Sequence, residues 1–148
     1  MSLQVAIDRI PALAGRSEPG LQALGSNSQY VSPGDTRLCH RSLDVDAALA
    51  AQQPQANRWD YAIEYGGNLY FLEVHPASTG EVTVLLAKLR WLKNWLSGAG
   101  APVDALPKGT ASFRWAATGT IAILRGSQQA RQLAQSGLKG PEKLVRLP

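Results

Sequence analysis

Five residues in one stretch of the chain, Arg58 to Leu96, have the types and spacing for acid–base or metal chemistry: Asp60, Glu73, His75, Glu81 and Lys88. They interrupt sequence that is otherwise apolar or alternating. Glu73 and His75 lie two residues apart, so in an extended strand they point to the same face. Carboxylates that converge from neighbouring elements suit a hard divalent cation such as Mg²⁺ or Mn²⁺, which takes oxygen ligands and keeps waters available for chemistry. An ammonium or an imidazole beside them would orient water or neutralise a developing negative charge.

The elements that must position these residues are legible in outline. From Arg58 to Tyr65, Trp59, Tyr61, Ile63 and Tyr65 alternate with Asp60, Ala62 and Glu64, which predicts a strand. Gly66-Gly67-Asn68 supplies a tight hairpin turn with positive φ available. It is a turn and not a phosphate loop, because no helix opens after it. Leu69 to His75 reads as the partner strand, with Pro76 expected to end it. A hairpin centred on the two glycines brings Asp60 beside Glu73 and His75.

Ser78 or Thr79 is expected to cap a helix running to about Ser97, stopped by Gly98 and Gly100. At ~100° per residue, Leu85, Leu89, Leu92 and Leu96 fall on one side of Glu81, and Val84, Trp91 and Trp95 on the other. Glu81 and Lys88 land inside that apolar arc, while Thr83, Ala87, Arg90 and Asn94 form the polar face. Burying an unpaired charge costs several kcal/mol, so both need partners on the sheet beneath.

The rest of the chain is less regular. Leu3 to Leu13 has a weak helical pattern, and Ala14 to Ser32 reads mostly as loop, with a short helix at most around Leu21 to Leu24. A short strand is expected within Thr36 to Leu43. A helix over Val45 to Gln52 would be capped by Ser42 or Asp44 and ended by Pro54. Pro102 to Thr110 reads as a linker and Ala111 to Leu124 as a strand. Ser127 caps a helix to Ser136, and Lys143 to Leu147 is a last strand or tail. The length of 148 residues fits one domain: an irregular segment over 1–35 and a core over 36–148.

Bulk properties narrow the partners and the compartment. The single cysteine, Cys39, excludes an intramolecular disulfide and a cysteine-based zinc site. A net charge of +4 is compatible with a polyanionic partner without demanding one. No apolar run reaches the ~18–20 residues of a membrane span, and no basic stretch followed by an apolar one opens the chain. A cytoplasmic protein with no membrane association is expected.

Asp60, twelve intervening residues, Glu73-Val74-His75 and a following helix with Glu81 and Lys88 resemble the PD-(D/E)xK nuclease superfamily, of which this chain looks like a divergent member. The resemblance covers about Thr36 to Leu124. It implies an α/β (α+β) restriction-endonuclease-like fold, a mixed central sheet flanked by helices with core order αβββαβ. By position, Asp60 and Glu73 become metal-binding acids, with Glu81 an accessory ligand. His75 stands where the family has its lysine, and Lys88 is the migrated lysine. Asp60, Glu73, His75 and Lys88 are thus the catalytic candidates, and Mg²⁺ or Mn²⁺ the cofactor. Asp46 or Glu18 would supply a further acid. Arg58-Trp59 precedes the first acid where the family has a proline.

The function this implies is a metal-dependent phosphodiesterase acting on DNA or RNA, either active or degenerate. The alternative is a non-catalytic module of the same fold that binds nucleic acid or a protein partner. A third reading is an interaction domain of a different α/β fold. The oligomeric state is left open, a homodimer included. Plainer roles stand beside each residue: Asp60 as a solvated strand end, His75 as structural, Lys88 reaching out of the helix edge. Trp91 and Trp95 suit a core better than base stacking, and Tyr61, Tyr65 and Tyr70 suit sheet packing. Arg37, His40 and Arg41 form either a basic edge near the site or a solvated face.

Overall fold

In the computed structural model, which describes residues 1–148, the elements run α1 (Leu3–Asp8), β1 (Glu18–Pro19), β2 (Val31–Pro33), β3 (Cys39–Asp44), α2 (Val45–Leu49), β4 (Tyr61–Tyr65), β5 (Asn68–Ser78), α3 (Glu81–Ser97), α4 (Ala101–Asp104), β6 (Lys108–Ala122), α5 (Gln128–Gln135), β7 (Lys139–Glu142) and β8 (Val145–Leu147). Short 3₁₀ segments cover Gln22–Tyr30 and Thr36–Leu38. The fold is mixed α+β. Six strands form one sheet in the order β1-β3-β4-β5-β6-β7. Neighbours from β1 to β5 are antiparallel, whereas β5–β6 and β6–β7 are parallel. Strands β2 and β8 make a separate parallel pair.

The hairpin β4–β5 is a product of its sequence. Gly66 (φ 59°) and Gly67 (φ 81°) take the left-handed conformation that a tight turn needs. That turn sets the register Tyr61↔Leu72 through Tyr65↔Asn68. Alternation then splits the sheet into two faces. Leu69, Phe71 and Ala77 of β5 join Trp115 and Ala117 of β6 in a core of 26 buried residues, to which α1 to α5 all contribute. Tyr61, Ile63, Tyr65, Tyr70 and Leu72 face a smaller core of 10, closed by Leu24, Val31, Val145 and Leu147. The helices therefore gather on one face, and the β2–β8 pair with the Gln22–Tyr30 segment covers the other. Residues 1–35 serve both: Leu3, Ala6 and Ile7 of α1 are fully buried in the larger core.

Several expected boundaries move. β5 does not stop at Pro76 but continues to Ser78. β4 begins only at Tyr61, opposite Leu72, so the later part of β5 has no antiparallel partner, and its register with β6 shifts right after Pro76. A proline is tolerated at such an edge and bulge. Neither Ser78 nor Thr79 caps α3, whose N-cap position is Gly80 without a side-chain bond. The Thr79 hydroxyl is engaged elsewhere: it donates to the Ala122 carbonyl (3.4 Å) and accepts from the Leu124 amide (2.9 Å). Asp44, not Ser42, caps α2, which ends at Leu49. The stretch expected as a linker holds α4 and the start of β6.

Two glycines separate steric crowding from backbone strain. A Cβ on Gly109 would overlap the Tyr70 ring, whereas one on Gly67 meets nothing. Gly109→Ala should lower unfolding free energy by about 1–3 kcal/mol through overpacking. Gly67→Ala should cost about 1 kcal/mol, from the positive φ alone. Urea titration of the two variants checks the order, and a larger loss for Gly67→Ala would contradict it.

Candidate functional site

Asp60 and Glu73 clasp each other where the β4–β5 ladder runs out. The Asp60 amide donates to Glu73 Oε1 (3.0 Å), and the Val74 amide donates to Asp60 Oδ2 (3.0 Å). The two side chains thus continue a ladder whose last backbone pair is Tyr61↔Leu72. The Asp60 carbonyl in turn accepts the Val45 amide at the start of α2 (2.8 Å). Each acid has one oxygen left over. Glu73 Oε2 receives Lys88 Nζ at 2.5 Å, and Asp60 Oδ1 lies 3.9 Å from the same ammonium. His75 Nδ1 is 3.6 Å from Glu73 Oε2, and its Nε2 is 2.6 Å from Glu81 Oε2.

The five residues singled out by type and spacing are therefore brought together. Their linkage is a chain rather than a ring: Glu81 reaches Glu73 through His75 and does not touch Asp60. Glu73 has no exposed side-chain surface, Asp60, His75 and Lys88 are about one-fifth exposed, and Glu81 about one-third. The cluster sits at the open end of the sheet, where β5 outruns β4. Three surface hollows lie elsewhere, and none is lined by any of the five.

Too little positive charge is present for three carboxylates. Burial first, and then the charge of Glu73, lift the Asp60 carboxyl to about 7, against the opposing pull of Lys88 and the Val74 amide. The Glu73 carboxylate is the largest influence raising the His75 imidazole. At 3.6 Å it acts more through its charge than as a formed hydrogen bond. Burial opposes it, and the short bond to Glu81 adds to it. Nε2–H donates to Glu81 and Nδ1 faces a second carboxylate, so the imidazolium is the form that suits both sides. Burial pulls the Lys88 ammonium down, but Glu73 and Asp60 outweigh it, and its pKa is raised. The protein alone thus approaches neutrality by holding protons on Asp60 and His75.

The residues fit a divalent cation in their donor chemistry. Asp60 Oδ1 and Glu73 Oε2 are hard oxygens not committed to backbone amides, and the nearest ammonium lies 3.9 Å from Asp60 Oδ1. Lys88 Nζ fills the Glu73 Oε2 contact, and no three acid, imidazole or thiol groups already enclose an ion position.

Asp46 stays beside the site but outside the cluster: its amide reaches the Asp60 carbonyl (3.4 Å) and its charge helps raise the pKa of Asp60 and Lys88, while its carboxylate pairs with Arg58 (2.8 Å). The remaining expected participants lie apart, with Glu18 exposed on the edge strand β1. Arg37 pairs with Asp35, and Arg41 binds Ser17. Those cations and His40 flank the Tyr65 end of β4, the opposite end from Asp60, so they form no basic edge near the site. Trp95 is buried, and Trp91 stacks on it (6.2 Å between centroids) while donating to Gln53 Oε1. Val84, expected in the apolar arc, is 39% exposed. Tyr61, Tyr65 and Tyr70 are buried in the smaller core. No motif marks Arg90 and Lys93. The signal for them is charge distribution: residues 1–81 hold nine acids and five bases, residues 82–148 two acids and ten bases. Comparison with protein-family models, curated proteins and solved structures gave no match to this chain.

Two measurements probe the cluster. Asp60 binds its proton more tightly folded (about 7) than unfolded (3.8). Its contribution to stability is full below the unfolded value and is lost as pH rises through 7. His75, also raised above 6.5, acts in the same direction. Without added metal, stability should fall from pH 5 to pH 8. Asp60→Asn should flatten much of that slope, its stabilising effect growing by about 1–3 kcal/mol between pH 5 and pH 8; an unchanged slope would show that Asp60 is not the titrating group. Lys88→Met strands a fully buried carboxylate and should cost about 3–5 kcal/mol in urea unfolding, most of which Glu73→Gln in the same chain should restore.

Proposed function

We propose that this protein is a divalent-metal-dependent phosphodiesterase of restriction-endonuclease-like fold that acts on nucleic acid. The observation that carries the reading is the pair of free carboxylate oxygens, Asp60 Oδ1 and Glu73 Oε2, turned toward the same ammonium, Lys88 Nζ. The element order supports it: α1, β3, β4, β5, α3 and β6 follow the αβββαβ sequence, with β6 parallel to β5. β1, β2, α2 between β3 and β4, α4 between α3 and β6, and the segments beyond β6 are additions to that order.

In this reading Asp60 and Glu73 hold Mg²⁺ or Mn²⁺ through their free oxygens. The ion, when bound, supplies a more acidic water and positive charge beside the phosphate. The chain's own residues do the rest. Each acid is oriented through its other oxygen by a backbone amide, so neither needs to reorganise to bind. Lys88, on a flexible four-carbon stem, leaves Glu73 Oε2 and places its ammonium beside a phosphoryl oxygen, where developing negative charge is stabilised. His75 is held by Glu81 through Nε2 and keeps Nδ1 directed at Glu73, so it orients the acid and carries a proton at the edge of the site. Glu81 acts through His75.

One observation favours the non-catalytic alternative: Lys88 and His75 already neutralise much of the cluster from within, as a closed structural network would. Metal binding and cleavage separate the two readings. Millimolar Mn²⁺ should raise the melting temperature of the wild type by a few degrees, about the ~2.7 kcal/mol expected near a hundredfold excess over Kd, and Glu73→Gln should abolish the shift. The wild type should cut plasmid, single-stranded DNA or RNA in Mn²⁺, and Asp60→Asn should cut at least ~100-fold more slowly. A shift without cutting leaves a metal-binding module. Cutting that survives both substitutions sinks the proposal.

A further inference from the structure

The C-terminal part of the chain is strongly basic, and three of its cations, Arg90, Lys93 and Arg131, lie exposed on α3 and α5. Residues 82–148 contain only Asp104 and Glu142 as acids, against ten Lys and Arg. Two adjoining hollows of about 400 and 370 Å³ run along this surface and share Leu86 and Arg90. Leu86 and Leu89 give an apolar floor; Arg90, Lys93, Asn94 and Gln132 form the walls. No acid lines either hollow. Arg90 and Lys93, and Arg131, which lines neither hollow but neighbours the wall residue Gln132 on α5, are all exposed, and none makes an ion pair within the chain, whose pairs are formed by other residues. Lys93 Nζ lies 5.4 Å from the centre of the Phe113 ring, which steadies it at the wall without neutralising it.

We propose that the α3–α5 groove binds single-stranded nucleic acid, with backbone phosphates on Arg90, Lys93 and Arg131 and an unstacked base over Leu86 and Leu89. This role deepens the nuclease reading and depends on it only for the cleavage step that comes after binding. Charge complementarity calls for a polyanion. The wall amides of Asn94 and Gln132 both donate and accept hydrogen bonds. Base edges offer both partners, whereas an acidic peptide's carboxylates only accept. A hollow with an apolar floor takes a flat apolar-faced group, which a single strand presents and a stacked duplex does not. Thr83 lines one hollow and shares the first turn of α3 with Glu81, but on the outer side of the helix, whereas Glu81 and Lys88 face the sheet.

Fluorescence anisotropy in EDTA reads binding without cleavage. The probes are a labelled single-stranded DNA, an RNA of the same sequence, their duplexes and poly-glutamate. The wild type should bind the single strands best, with affinity falling steeply as salt rises. Replacing Arg90, Lys93 and Arg131 together by Ala should weaken binding at least ~10-fold and reduce the slope of log K against log salt by about 0.7 per lost phosphate contact. Arg37→Ala, at the opposite end of β4 from Asp60, should leave both unchanged. Melting temperature checks that the triple variant is folded, as its three exposed positions predict. The inference is overturned if the wild type binds no single strand, if the folded triple variant binds like wild type, or if duplex or poly-glutamate binds as tightly. Groove-dependent binding by a protein that never cuts removes the nuclease reading and leaves this one standing.

Discussion

Glu73 is a carboxylate with no exposed side-chain surface, and the surrounding elements are placed so that it is not alone. The Asp60 amide meets one oxygen from the neighbouring strand, and Lys88 meets the other from α3 above. Lys88 therefore ties α3 to the sheet at one defined point, with Leu85 and Leu92 buried on either side of it along the helix. The apolar contacts supply most of the free energy of that packing, because they are nondirectional and extensive. The ion pair contributes position: α3 cannot slide or rotate by a residue without leaving a buried charge unpaired. Such a pair seldom adds net stability over apolar side chains of the same shape. Apolar side chains at these two positions would match the packing energy but not the fixed register, and a leucine at position 73 would leave the Asp60 amide without its acceptor.

The same residues show how the protein manages a surplus of acid. Asp60, Glu73 and Glu81 meet only Lys88 and, when protonated, His75. A raised Asp60 pKa and a raised His75 pKa are two responses to one shortage, proton uptake by a group that would otherwise carry charge and by a group that would otherwise be neutral. The Asp60 proton, at about 7, is exchangeable near neutral pH. A cluster of this kind exchanges protons for another source of positive charge at low cost, which a saturated structural ion pair does not.

What the sequence makes legible is what is local and periodic. The hairpin comes from alternation and two glycines, and once its register is set the approach of Asp60 to Glu73 is a matter of counting. The inward placement of Lys88 comes from helical phase. Val84 and Trp95 lie near the same angular edge of the apolar arc, yet Trp95 is buried and Val84 is not. Near the C-terminal end of α3 the chain turns back at Gly100, whose Cα approaches the Trp95 indole so closely that a Cβ there would overlap it; no segment covers Val84. Phase alone cannot distinguish the two, because the covering segment is supplied by tertiary structure. The pairing of β2 with β8 joins opposite ends of the chain and leaves no local trace. The 3₁₀ segment broken at Gly25 (φ 54°) has no periodicity to read. Thr79 has the residue type and position of a cap but is not one, for a related reason: its hydroxyl serves the end of β6, more than forty residues away.

The division of charge along the chain bears on how the two proposed surfaces would work together. Net charge is −4 over residues 1–81 and +8 over 82–148, the two making up the overall +4. In sequence the boundary falls in the first turn of α3; in space the helix separates the cluster on its sheet-facing side from the hollows on its outer side. A polyanion approaching this protein is attracted along the outer face of α3 and α5 and repelled at the cluster. Surface attraction alone would therefore hold a strand on the outer side of α3 and not on the acids. For a phosphate to cross that boundary, the negative charge of Asp60 and Glu73 must first be offset. Protons on Asp60 and His75 do this only in part, and they also remove the free carboxylate that chemistry would need. A divalent cation offsets the charge while keeping both carboxylates ionised. On this arrangement metal and strand favour each other's arrival, because each supplies the charge that the other's site lacks.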